Sequence, residues 1–129
     1  MSGTQVFPSV QLVAGSIPSL YAILDFWVAN QAAWLAQHPE VPHPYDAGIR
    51  YENESPGREV WQSIRTTLRR GWGDCEDLAL YLAAWYVARK GITARVRLIR
   101  FSKAGKVWYH AVVVLPDGRV EDPSRRLGM

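Results

Sequence analysis

Gly71-Trp72-Gly73-Asp74-Cys75-Glu76-Asp77-Leu78-Ala79-Leu80 holds the chain's single cysteine at the point where a glycine turn gives way to a helical pattern. From there Leu78, Leu82 and Trp85, with Ala79, Ala83 and Tyr86 beside them, recur at steps of three and four and predict a buried helix. Asp74 suits its N-cap, and Asp77, three residues on, can reach back as in a capping box. Gly91 is a natural stop after Arg89 and Lys90, whose charges complement the carbonyl end of the helix dipole. Cys75 then falls in the first turn, where free N–H groups favour thiolate and can draw a thiol pKa from ~8.5 towards about 3.5–7.5. Asp74, Glu76 and Asp77 oppose that shift, so a reactive Cys75 needs a cationic partner.

Working outward, the 129 residues, 48% of them hydrophobic, are enough for one domain with a real core. One cysteine excludes an intramolecular disulfide and a multi-thiolate metal site. A metal would depend on His38, His43 and His110, two of which lie in a proline-rich stretch; no metal or cofactor is expected. The net charge of +3 permits an acidic partner without demanding one. Met1 to Ser16 has no basic n-region, and Leu20 to Leu35 is interrupted by Asp25, Asn30 and Gln31. The expectation is therefore a chain made in a cytoplasm, with no signal peptide or membrane span.

Residues 1–16 carry only a weak strand pattern, at Val10 to Val13. Pro18 and Ser19 open a helix in which Leu20, Ile23, Leu24, Trp27, Gln31, Trp34 and Leu35 keep the core rhythm. His38 to Gly57, with four prolines, reads as a long irregular loop and a candidate wall or lid, with Ile49 to Tyr51 extended. A second helix is expected over about Arg58 to Arg69, offering Val60, Ile64 and Leu68 to the core. Its closing Arg69 and Arg70 either lend positive potential to the cysteine turn or simply end a helix. After Gly91 the pattern becomes strands: Thr93 to Phe101, a loop Ser102 to Lys106, Val107 to Leu115, a turn, and Arg119 to Glu121. The domain is thus expected to be α+β, with a helical part over about 17–70, the cysteine helix over about 74–90 and an antiparallel meander over about 93–122. Seven basic residues and no acidic one between Arg89 and Lys106 could mark a nucleic-acid surface. Without interleaved stacking aromatics they read instead as the solvated face of a strand.

The chemistry concentrates in Cys75, His110 and Asp122. A thiol nucleophile needs a base to hold its proton, and the base needs a third group to fix its tautomer. His110 lies in the apolar run Trp108-Tyr109-His110-Ala111-Val112-Val113, and Asp122 is held extended by Pro123. The turn Leu115-Pro116-Asp117-Gly118-Arg119 suits a three-residue hairpin loop, which pairs Leu115 with Arg119 and so Val112 with Asp122. His110 and Asp122 would then be diagonal neighbours on one face. A two-residue turn would slip the register by one and turn Asp122 away. Taken singly, each residue has a plainer reading: an inert buried thiol, a satisfied core histidine, a turn aspartate.

Gly73-Asp74-Cys75-Glu76-Asp77-Leu78-Ala79, Gly91-Ile92-Thr93-Ala94-Arg95, Tyr109-His110-Ala111-Val112-Val113 and Asp122-Pro123-Ser124 together resemble the core of the transglutaminase-like superfamily of papain-like cysteine enzymes, over about Trp61 to the C-terminus. The short chain and its ending, Glu121 to Met129, are similar to small transglutaminase-like proteins encoded among structural genes of tailed phages and prophages. The resemblance implies a papain-like fold, with the cysteine at a helix N-terminus against an antiparallel sheet. It implies Cys75 as nucleophile towards an amide carbonyl, His110 as base and acid, and Asp122 as orienter. The Cys75 N–H is a candidate oxyanion donor, with Trp61, Gln62, Trp72 and Tyr51 as candidate side-chain donors. The expected activity is amide hydrolysis of the cysteine peptidase or isopeptidase kind, on a protein or peptide. The alternatives are acyl transfer or deamidation, and a virion or tail-assembly role in which the fold serves interaction with phage structural proteins.

Overall fold

The computed structural model describes residues 9–11, 17–53 and 60–129. In chain order the elements are β1 (Ser9–Gln11), α1 (Ile17–Ala36), β2 (Arg50–Tyr51), β3 (Val60–Gln62), α2 (Ile64–Arg70) and β4 (Trp72–Gly73). They continue as α3 (Cys75–Trp85), β5 (Arg95–Lys103), β6 (Lys106–Val114), β7 (Val120–Glu121) and α4 (Pro123–Arg126). The domain is α+β, as its alternation of helical and strand periodicities predicts.

α3 is the centre: every residue from Asp77 to Ala84 is buried, because α1 packs on one side and β6 on another. α1 supplies Leu24, Trp27, Val28, Gln31, Ala32 and Leu35 from one face, the three-and-four spacing of an amphipathic helix. Gln31 is a buried anchor there, its Oε1 accepting the Ile64 N–H at 2.8 Å and so satisfying a free donor at the start of α2. α3 runs on into a π-helical turn, Tyr86–Lys90, that Gly91 ends at φ 64°. Arg89 does more than complement the dipole of its own helix. Its guanidinium donates to the Leu35, His38 and Val41 carbonyls at 2.8–3.2 Å and caps the C-terminal end of α1.

Two expected elements differ in extent. α2 begins at Ile64, with Ser63 as N-cap accepting from Thr66 N, so Val60 to Gln62 is not helical; these residues pair antiparallel with β1. Residues 58 and 59 of the expected helix, and 12 and 13 of the expected first strand, lie outside the described residues. The hairpin between β5 and β6 is also tighter than a Ser102 to Lys106 loop. Ala104 (φ 54°) and Gly105 (φ 75°) make a two-residue turn, and Lys103 pairs directly with Lys106, because left-handed backbone at both turn positions matches strand twist. The expected long loop carries a 3-10 turn, Pro44–Asp46, and β2, which pairs parallel with β4 at Arg50↔Trp72 and Tyr51↔Gly73. That pairing sets Tyr51 beside the cysteine turn.

The main sheet has the order β5-β6-β7, antiparallel throughout. Leu115 N donates to Arg119 O at 2.9 Å, Gly118 takes φ 89°, and Val113 pairs with Glu121. One step further sets Val112 opposite Asp122, the register that the turn chemistry predicts. Among the described residues no helix is long and apolar enough to cross a membrane.

Candidate active site

Cys75 is the first residue of α3, and its turn is fixed by a buried acidic pair. Asp74 Oδ1 accepts from Asp77 N at 3.2 Å and Asp77 Oδ2 from Asp74 N at 3.1 Å, a reciprocal capping box. Asp77 Oδ1 also accepts from Gln62 N at 2.6 Å. The Gln62 side-chain amide donates to Asp77 Oδ2, the Trp72 carbonyl and Thr67 Oγ1, and its Oε1 accepts from Arg70 at 2.6 Å. Gly73 is needed for this packing, since a Cβ there would lie 2.8 Å from Asp77 Cβ. Arg70 therefore turns inward onto Gln62, in addition to closing α2.

The electrostatics depart from what the helix start alone suggests. Burial pushes the Cys75 thiol pKa up, and the Glu76 and Asp74 carboxylates push the same way, against an opposing hydrogen bond from the Ala111 backbone. The thiol donates to Glu76 Oε2 at 3.3 Å. Desolvation and adjacent carboxylates thus outweigh the helix dipole and favour the thiol over the thiolate. Burial, then Glu76, raises Asp74 to about 9. Asp77 is driven well up by burial and by Asp74.

His110 and Asp122 meet across the sheet, His110 Nε2 lying 2.7 Å from Asp122 Oδ2. With a carboxylate as acceptor, Nε2 is the donor of this contact, which leaves Nδ1 on the far side of the ring for a second partner. Asp122 has a second duty as N-cap of α4, its Oδ1 accepting from Arg125 N at 3.4 Å. The Arg125 side chain lies 3.6 Å from Oδ2.

Cys75, His110 and Asp122 line one cleft of about 990 Å³ together with Tyr51. The strand carrying His110 reaches the sulfur directly, through the Ala111 amide. Of the four candidate oxyanion side chains, Tyr51 lines this cleft, with its hydroxyl donating to Asn53 at 2.6 Å. Burial, and next the negative charge available at Cys75, raise its phenol pKa. Trp61 and Gln62 are buried away from the cleft, and Trp72 lies under the Arg70 guanidinium at 5.4 Å. Two features escape sequence reasoning. One is Glu76 as the acceptor of the thiol proton, for which its adjacency to Cys75 was the available signal. The other is an apolar wall of Ile99, Trp108, Tyr109, Val120 and Met129 lining the same cleft. Among the described residues no cluster of three or more His, Cys, Asp or Glu is arranged to hold a metal. Comparison with protein-family models, with curated proteins and with solved structures finds no match to this chain.

Proposed function

We propose that the chain is a thiol-dependent amide hydrolase of papain-like architecture, resembling the transglutaminase-like enzymes, that works through an acyl-enzyme. The observation that carries the reading is the 2.7 Å His110–Asp122 contact beside a cysteine that starts a helix in the same cleft. His110 Nδ1 takes the Cys75 proton as the sulfur adds to the carbonyl carbon of a bound amide. The oxyanion is met by the Cys75 backbone N–H, with the Tyr51 hydroxyl as the side-chain candidate. His110 then gives its proton to the departing amine nitrogen, the C–N bond breaks, and a thioester remains. Water, losing a proton to His110, attacks the thioester, and the acid leaves as the thiol re-forms. An amine in place of water would give acyl transfer by the same steps.

The test is mass spectrometry of the protein with activated acyl esters and glutamine peptides. An acyl adduct on Cys75 is expected in the wild type, with loss in Cys75→Ala and a drop of ~10²–10⁴ in rate in His110→Ala. Absence of any adduct on Cys75 across substrates and pH would remove the enzymatic reading. The partly buried, acid-flanked thiol favours a second reading, an interaction protein of the virion or tail-assembly kind whose triad is idle. That reading requires slow alkylation of Cys75, equal in wild type and His110→Ala.

A further inference from the structure

The lane beside β6 changes occupant along its length. At Val114 and Val113 it is filled by β7. At Ala111, two residues on, the amide that would serve a third β7 pair meets the Cys75 sulfur instead. The alternation is internally consistent. Leu115 N reaches Arg119 O on the same side, and Leu98, opposite Ala111, gives its outward N–H to Tyr21 Oη at 3.3 Å. Tyr109 and Val107 therefore direct their N–H and C=O groups into this lane too, because strand hydrogen bonding repeats every second residue. Among the described residues no strand pairs with β6 there. The side chains around it are half exposed: Trp108 at 50%, Tyr109 at 48% and Val107 at 46%.

We propose that the substrate is an extended, unstructured polypeptide segment that adds as a strand to β6 at Tyr109 and Val107, antiparallel as β7 is, with its scissile amide delivered to Cys75. An open edge with alternating donors and acceptors selects extended backbone, while Trp108, Ile99 and Tyr109 select apolar or aromatic side chains next to the scissile bond. This deepens the reading of Cys75 as nucleophile and rests on it. The lane begins where the sulfur sits, so a peptide lying in it brings its backbone amides to the nucleophile.

The test uses Cys75→Ala protein, so that binding is scored whether or not the triad is active; acyl-adduct formation tests the triad separately. The probes are fluorescein-labelled peptides of alternating valine and threonine around a phenylalanine-glutamine pair, flanked by glutamates. Each is compared with versions N-methylated at single positions, by anisotropy. Binding should weaken about fivefold for N-methylation at every second residue and change little between, the loss expected for one backbone hydrogen bond. Val107→Pro, which removes a lane donor while leaving the β5 ladder intact, should weaken binding about fivefold relative to Val107→Ala. Unchanged thermal melting of both variants checks their folding. A flat N-methyl scan, or equal affinity of the two Val107 variants, overturns the proposal. So does a wild-type dimer in sedimentation that Val107→Pro abolishes, which would assign the edge to a second copy of the chain.

Discussion

Replacing Glu76 with glutamine should make Cys75 a better nucleophile. The carboxylate accepts the thiol proton at 3.3 Å, so forming a thiolate sets two negative charges at about that separation. Coulomb's law gives ~5 kcal/mol at an effective dielectric constant of ~20 and ~1.3 kcal/mol in bulk water. Cys75 and Glu76 are both partly exposed, so the cost lies between these limits, or about 0.9 to 3.7 pKa units. Glutamine keeps an acceptor for the thiol while removing the charge. The assay is the rate of iodoacetamide alkylation of Cys75 against pH. Wild type should react appreciably only at alkaline pH, because burial and Glu76 hold the proton on sulfur. Glu76→Gln should move the midpoint down by about one unit or more. A midpoint that stays in place or rises would refute the argument that charge repulsion between adjacent residues suppresses the thiolate. The glutamine variant should lose only about 0.3–1 kcal/mol of stability from the weaker helix-start interaction.

Gly73→Ala should destabilise the fold by about 1–3 kcal/mol in urea unfolding, since its Cβ would meet Asp77 Cβ at 2.8 Å and neither backbone can yield. Folding raises the Asp74 pKa to about 9, so the native state binds more protons than the unfolded chain between about pH 4 and pH 9. Stability should therefore fall as pH rises through that window. Urea titrations of wild type and Asp74→Asn, which keeps a capping side chain, should differ in that slope. Gln62→Ala should lower stability by about 1–3 kcal/mol in thermal denaturation, because Asp77 and the Trp72 carbonyl lose buried partners. An unchanged melting temperature would show that this network contributes nothing.

Local chemistry made much of the architecture readable. Pro116-Asp117-Gly118 specifies its own turn, and the turn carries the register that sets Asp122 near His110. Asp74 and Asp77, three residues apart, specify their capping box without reference to anything distant. The start of α2 was obscured because Val60, Ile64 and Leu68 happen to keep helical spacing, whereas Val60 is committed to pairing with β1, a partner about fifty residues away in the chain. Ser63 was the better signal, being a preferred N-cap residue directly before Ile64. The proton affinity of Cys75 was the least legible property. Its position at a helix start is local, but its burial arises from strands and loops that no window around residue 75 contains. Gln62 illustrates the same limit, since its engagement depends on Arg70, Trp72 and Asp77 converging on one amide.

The double engagement of Asp122 makes the last turn of the chain a clasp on the cleft. One carboxylate oxygen starts α4 and the other steadies the imidazole, while the Leu127 carbonyl just beyond α4 accepts the Tyr51 amide from the opposite wall. Fraying of this short helix would release both walls at once and leave the α1–α3 core untouched, a partial opening well below the energy of global unfolding. Amide exchange at Arg125, Leu127 and Tyr51 should then proceed at a common rate, faster than in α3, and readiness for chemistry becomes a property of the carboxy-terminal segment as much as of the cysteine helix.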